Sequence, residues 1–164
     1  MSWYTFIKFL HIFSAIWFVG GLFARQLVRH YARLSDEVQR FATFSQAAGK
    51  IEAVMVIPGS MAVILIGVIL ALIAGYPIFG FLQGASQNWL LVANILLITA
   101  MGLVPTVFVP RGKKFEPVLQ NALAEGRVTP ELRAAMDDPV VKLAHIYEQV
   151  SVIVVVALMV FKPF

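Results

Sequence analysis

The sequence predicts an all-α integral membrane protein, a bundle of four transmembrane helices in a single domain over residues 1–164. Hydrophobic residues make up 60% of the chain and charged residues 13%, against about 45–50% and about 25% in soluble domains. No Asp, Glu, Lys or Arg occurs between Ala53 and Pro110. A soluble fold of this size could not bury so much apolar side chain, so the soluble class is excluded.

Four apolar segments are each long enough to cross a bilayer. They cover approximately residues 3–25, 53–75, 89–110 and 140–161. At about 1.5 Å per residue, about 20 apolar residues span a hydrocarbon core of about 30 Å. The runs are continuous rather than alternating, which favours helices over the strands of a membrane β-barrel.

The basic residues predict the orientation. Of the 13 Lys and Arg residues, only Lys8 and Lys162 lie outside the connections after the first and third spans and the adjoining span ends. The positive-inside rule therefore places both long connections in the cytoplasm and both termini outside. The net charge of +4 follows from this topology, so we expect the lipid bilayer as partner and no nucleic acid. We expect a multi-pass protein of the bacterial cytoplasmic (inner) membrane.

The two cytoplasmic connections carry signals for short helices. Ser35, followed by two acidic residues, is a good N-cap for a helix that continues into the second span, with a kink at Pro58. Thr129 before Pro130 predicts the start of another helix, and Gly126 predicts the end of the one before it.

Ionisable residues inside the spans are candidates for function, because a charge in lipid is costly. His11 lies in the outer half of the first span, and Arg25 follows on the same helical face. Two interpretations remain open. His11 could ligate a haem iron with Arg25 near the propionates, or a hydrogen-bonded histidine could accompany an arginine that snorkels to the interface.

The last span carries a second polar face with Lys142, His145 and Glu148. It could pair with the cytoplasmic connections, supply a second haem ligand, or form a proton relay through His145 and Glu148. Helical rise separates His145 from His11 by about 12 Å in depth, which argues against one haem held between the two histidines.

The chain contains no cysteine, which excludes disulfides, cysteine-ligated zinc or iron–sulfur centres and a cysteine nucleophile. Met55, Met61 and Met101 are possible soft ligands inside the spans, although most methionines only fill gaps between helices. We therefore expect that any metal here is held by histidine or methionine.

Five short segments in order along the chain carry a family resemblance. They are Trp3–Ile12, Ile16–Gly20, Leu27–His30, the Met/Pro/Met pattern of Met55–Met61, and the closing Val160–Phe164. These segments resemble the HemJ-type protoporphyrinogen IX oxidases and the wider set that includes the copper-resistance protein CopD. The third span departs from the oxidases, because Trp89–Ala93 lacks their His and Lys. The resemblance therefore implies a relative of these proteins rather than the oxidase itself.

The resemblance implies a four-helix membrane protein that binds haem b and passes electrons to a quinone or respiratory-chain partner. His11 would be the axial ligand and His30 a rival ligand at the inner face. The candidates for the sixth iron ligand are His145, Met101 and Met61. The candidates for binding the propionates are Arg25 and Arg29. If the protein is an enzyme, we expect a haem-dependent membrane oxidoreductase.

Two alternatives belong to other classes of protein. One is a copper- or metal-handling or small transport protein of the CopD type, with the three methionines as Cu(I) ligands. The other is a structural or assembly subunit without a site of its own, whose polar faces would contact a partner chain or a second copy in a homo-oligomer.

Overall fold

The structure, a computed structural model, describes residues 2–164 and contains no β-strand among them. The helices are α1 (Trp3–Leu34), α2 (Val38–Ile51), α3 (Ile57–Ile73), α4 (Trp89–Leu103), α5 (Val109–Glu125), α6 (Pro130–Met136) and α7 (Pro139–Phe161). A π-helical turn, Glu52–Val56, joins α2 to α3, and a second, Val104–Phe108, joins α4 to α5. A 3-10 turn, Gly80–Gln83, lies in the connection between α3 and α4.

Four continuous helical segments are long and apolar enough to cross a membrane, which confirms the predicted fold class. They are Trp3–Leu34, Val38–Ile73, Trp89–Glu125 and Pro130–Phe161. With 32 residues, α1 is about 48 Å long, whereas the hydrocarbon core is about 30 Å thick. The helices therefore extend well beyond the lipid, on the cytoplasmic side in the orientation predicted from the charges.

Two apolar clusters hold the helices together. The first, which we call the membrane core, joins α1, α3, α4 and α7, and Leu22 is its most deeply buried side chain after Ala93. The second, which we call the inner cap, joins the C-terminal end of α1 to α2, α5 and α6. Phe41 and Phe115 stack in the inner cap with ring centroids 6.3 Å apart. Because of this second cluster, the basic connections fold as part of the same bundle.

Prolines explain where the two π-helical turns occur. Pro58 and Pro110 each lack the N–H that would donate to the carbonyl four residues earlier, so the regular ladder is interrupted just before them. The predicted continuation of α2 into the second span is confirmed, and the irregularity at Pro58 takes the form of the turn Glu52–Val56. This turn lies against α1 so closely that a Cβ added to Gly21 would be 2.7 Å from the Cβ of Met55.

The helix-end predictions have mixed outcomes. Thr129 caps α6 by accepting a 3.2 Å hydrogen bond from the N–H of Leu132, and Gly126 ends α5 with a φ of 69°, as predicted. The prediction for Ser35 is wrong, because α2 begins at Val38 and the Ser35 hydroxyl donates to the carbonyl of Tyr31 at 2.9 Å. A serine hydroxyl can donate to a carbonyl earlier in the chain or accept from an N–H later in it. Here it donates to a carbonyl in the last turn of α1.

The closing segment fastens α7 to the start of α4 at the outer end of the bundle. The carbonyl of Phe164 accepts hydrogen bonds from the N–H groups of Asn88 and Trp89 at 2.9 and 3.0 Å. The ammonium of Lys162 donates to the Tyr76 hydroxyl at 2.8 Å and lies 4.5 Å from the centre of the Tyr76 ring.

Candidate functional site at the inner end of the bundle

Arg25 is the centre of a buried group of charged side chains. Only 3% of the surface of Arg25 is exposed. One guanidinium nitrogen, Nη1, pairs with Glu52, and the other, Nη2, lies 2.6 Å from Oε2 of Glu148. The three residues come from α1, the first π-helical turn and α7, so the cluster joins three elements that are distant in sequence. Arg25 therefore does not snorkel to the interface, and that alternative is wrong.

His145 extends this group toward open space. Its Nδ1 lies 3.1 Å from Oε2 of Glu148 and 3.1 Å from Nη2 of Arg25. Nδ1 therefore faces one acceptor and one donor at the same distance. With its proton on Nδ1 the ring donates to Glu148 and keeps the lone pair on Nε2, and with its proton on Nε2 it accepts from Arg25. The ring of Phe108 stacks on the imidazole with centroids 4.5 Å apart and an angle of 19° between the planes. The orientation of the imidazole is therefore fixed from one edge and one face.

The polar face of α7 therefore pairs inside the bundle. His145 and Glu148 both hydrogen-bond to Arg25 of α1. Their partner is therefore on a helix and not in a loop between helices. Both histidine and glutamate are buried, with 7% and 5% of their surface exposed. The direct contact between them is the geometry that the proton-relay hypothesis requires, and that hypothesis stays a prediction.

A cavity of about 720 Å³ opens beside this group, within the usual range for ligand pockets of about 300–1,000 Å³. It lies where the membrane core ends and the inner cap begins, and both π-helical turns contribute to its wall. The apolar part of the wall is formed by side chains from at least five elements, among them Ile57, Val104, Phe108, Phe115, Val118, Met136 and Val141. Because π-helical turns occur frequently at functional sites, this cavity is the candidate site.

The polar part of the wall is basic. The charged residues that line it are Arg25, Arg29, Arg111, Lys114, Glu52 and Asp138. Arg25 pairs with the carboxylates of Glu52 and Glu148, and Arg111 pairs with Asp138. Arg29 and Lys114 form no ion pair among residues 2–164. Four cations against the carboxylates of Glu52, Glu148 and Asp138 leave one net positive charge, so the cavity favours an anionic ligand.

His11 lies at a different place. It packs against α3, where a Cβ added to Gly67 would be 2.9 Å from its Cε1. Its Nδ1 is buried and has no hydrogen-bond partner within residues 2–164. Along α1 the distance from His11 to Arg25, the neighbour of His145, is about 21 Å at the helical rise. His11 and His145 therefore do not lie at one site.

The other predicted ligands do not line the cavity. His30 is exposed on α1, with its ring 6.1 Å from that of Tyr31. Met61 and Met101 are 50% and 39% exposed on the outside of the bundle. Over residues 2–164 no group of three or more His, Cys, Asp or Glu side chains is arranged to hold a metal ion. Of the predicted site residues, the structure brings together Arg25, Arg29, His145 and Glu148.

Sequence reasoning missed several residues of the site. Glu52 carried a signal, since it is the last charged residue before the long apolar run. Phe108, Arg111, Lys114 and Asp138 carried no specific signal, because their positions depend on how α5 packs against α2 and α6 and how α7 packs against α4. The prolines beside both π-helical turns marked the irregular backbone, although not its direction.

Comparisons with known proteins agree with this description at the level of the membrane fold. Residues 5–163 match the family described as predicted integral membrane protein (DUF2269). No curated protein and no solved structure matches the chain. With nearly the whole chain matched, this protein belongs to the DUF2269 family of predicted integral membrane proteins.

Proposed function

We propose that this protein is a membrane b-type haem protein with a redox or electron-transfer role, and that its haem binds in the cavity at the inner end of the bundle. The observation that carries the proposal is the hydrogen bond between Nδ1 of His145 and Glu148, at 3.1 Å. Metal-binding histidines usually donate their other ring N–H to a carboxylate or carbonyl, which fixes the tautomer and raises the basicity of the ligating nitrogen. None of the hydrogen bonds that His145 forms within residues 2–164 uses Nε2.

The residues around His145 fit haem in three respects. The walls are largely apolar, as a porphyrin ring requires, and the volume of about 720 Å³ is ample for one large planar ligand. Arg29 and Lys114 are available for the two carboxylates of the ligand. Met136 also lines the cavity, and its thioether is a soft group suited to iron in low-spin haem proteins.

Each residue would have a distinct role toward the bound group. His145 would ligate the iron through Nε2, Glu148 would hold the imidazole, and Arg25 would hold Glu148 in place. Phe108, stacked on the imidazole of His145, would keep that imidazole from rotating. When bound, haem supplies one-electron redox chemistry tuned by its ligands and by the surrounding charges. A quinone of the bilayer or a respiratory-chain protein of the bacterial inner membrane is the electron partner that we propose.

This proposal keeps haem from the family resemblance and changes the ligand. The resemblance to HemJ-type oxidases favours His11, whereas the cavity, the carboxylate partner and the basic wall favour His145. His11 lies about 21 Å along α1 from Arg25, the neighbour of His145, so one iron atom cannot bind both histidines and the ligand can be decided by substitution.

The test is the visible spectrum of the detergent-purified protein after expression with a supply of haem. We expect a Soret band and a pyridine haemochrome of the b type in the wild type and in the His11→Ala and His30→Ala variants, and their loss in His145→Ala. A colourless wild-type protein that does not take up added haemin would contradict haem binding. Loss of the spectrum in His11→Ala and its retention in His145→Ala would contradict the site.

A further inference from the structure

Three arginines follow one another on the inner half of α1, one helical turn apart. Arg25 pairs with Glu52 and Glu148. At the other end of the row, Nε of Arg33 lies 3.1 Å from Oδ1 of Asp137. The middle residue, Arg29, forms no ion pair with any carboxylate within residues 2–164.

The contacts of Arg29 do not compensate its charge. Its Nη2 lies 3.6 Å from the sulfur of Met136, a weak acceptor, and its Nε is buried without a hydrogen-bond partner in the described part of the chain. The like charges of the arginines before and after it are each about 6 Å away along the helix. Arg29 is half-buried, and the carboxylates at Arg25 offset its charge only from a distance. Its guanidinium therefore keeps unused donor capacity on the wall of the cavity.

Arg29 shares a wall of the cavity with two other cations. Arg111 is partly paired, because one nitrogen of its guanidinium, Nη1, pairs with the carboxylate of Asp138. Lys114 lines the cavity and forms no ion pair among residues 2–164. These cations lie between the membrane core and the inner cap, which in the orientation predicted from the charges is the side of the inner headgroups, where acidic groups of amphiphiles are found.

We propose that Arg29 and Lys114, assisted by Arg111, form an oxyanion-binding site for the acidic group of an amphiphile. The apolar part of the ligand would lie along Ile57 and Phe115. The shared chemistry is an oxyanion on an apolar body, and its source is either the carboxylate of a porphyrin or the phosphate of an anionic lipid. The porphyrin source rests on the haem binding proposed above, whose carboxylates Arg29 and Lys114 would hold. The site uses none of Arg25, Glu148 and His145, so its failure can be distinguished from a failure of iron ligation.

The experiment uses haem-free, full-length protein in phosphatidylcholine nanodiscs and has two arms. In the first arm, the dissociation constants of haemin and of haemin dimethyl ester, which lacks the carboxylates, are measured by titration. In the second arm, the Tm is compared between discs with and without phosphatidylglycerol. Each arm is run on wild type, Arg29→Gln and the control Arg40→Gln, whose side chain is 74% exposed and pairs with Glu37.

If the source is a carboxylate, wild type and control bind haemin about tenfold or more tighter than the ester, since a charge-assisted hydrogen bond contributes at least that factor. Arg29→Gln then loses the preference. If the source is a phosphate, phosphatidylglycerol raises the Tm of wild type and control and not of Arg29→Gln. Loss of the effect in either arm supports the site and identifies the acidic group.

An Arg29→Gln protein that responds as wild type in both arms overturns the proposal. Folding does not obscure the result, because each arm compares the same protein with two ligands or in two lipids, so a change in the stability of the Arg29→Gln protein itself cancels. Lys114→Gln, at an exposed position, provides the same test with a smaller expected loss. Failure of haem binding appears separately, as a wild type that takes up neither haemin nor the ester while the lipid arm is unaffected.

Discussion

Replacing Arg25 with methionine removes the charge that joins α1 to the first π-helical turn and to α7. Methionine fills most of the volume of the arginine stem, so the perturbation is mainly electrostatic. It leaves the carboxylates of Glu148 and Glu52 facing each other without a cation between them. We therefore expect Arg25→Met to destabilise the bundle strongly.

The magnitude follows from burial and distance. With about 4 Å between charge centres and an effective dielectric constant of about 20, one ion pair contributes about 4 kcal/mol of Coulomb energy before desolvation. Arg25 and Glu148 are 3% and 5% exposed, and truncating one partner of such a buried pair typically costs about 3–5 kcal/mol. The side chain of Glu52 is 22% exposed, so its pair adds about 1 kcal/mol at most. The expected loss is about 3–5 kcal/mol, a large part of the usual stability of a domain.

The assay is equilibrium unfolding by SDS in mixed micelles, followed by circular dichroism. Arg40→Met is the matched control, since Arg40 is 74% exposed and its substitution should change the free energy of unfolding by about 0.5 kcal/mol or less. A triple variant that combines Arg25→Met with Glu52→Gln and Glu148→Gln should recover most of the loss, because it leaves no buried charge unpaired.

Two results would refute this reasoning. An Arg25→Met protein within about 1 kcal/mol of wild type would mean that the cluster is not buried as an ion group. A triple variant as unstable as the single one would mean that the lost contacts of the arginine stem, and not the unpaired carboxylates, account for the effect.

Two further predictions concern packing at either end of the bundle. Gly21→Ala should be less stable than Gly20→Ala by about 1–3 kcal/mol, because a Cβ at Gly21 would lie 2.7 Å from the Cβ of Met55 while Gly20 has open space; equal free energies of unfolding would contradict the close approach of the first π-helical turn. Lys162→Met should lower the free energy of unfolding by about 1 kcal/mol, through loss of its hydrogen bond and cation–π contact with Tyr76, and a Tyr76→Phe background should reduce that loss.

The membrane fold could be predicted from the sequence because its signals are local. An apolar run of sufficient length has one low-energy form in lipid, and the charges flanking it set its direction. Helix ends were less certain, since they depend on which of two backbone partners a side chain takes. The Thr129 hydroxyl accepts from an N–H later in the chain, whereas the Ser35 hydroxyl donates to a carbonyl earlier in it.

The candidate site could be predicted only in part. Arg25, His145 and Glu148 stood out because charged groups are rare in apolar segments. That they contact one another depends on the rotation of α7 against α1, which no local pattern encodes. The same is true of Arg29, whose lack of a carboxylate is visible only once every neighbouring helix is in place. His11 stood out for the same reason as His145, and packing alone separates the two.

The most direct test of the central claim, that Nε2 of His145 is the ligating group in a cavity open to a planar amphiphile, is haemin binding by a His145→Gly variant with and without added imidazole. The claim predicts that the variant loses the wild-type Soret band and that imidazole, entering the space left by the side chain, restores it, whereas His11→Gly retains the band throughout. A His145→Gly protein that binds haemin with the wild-type spectrum and affinity in the absence of imidazole would contradict it.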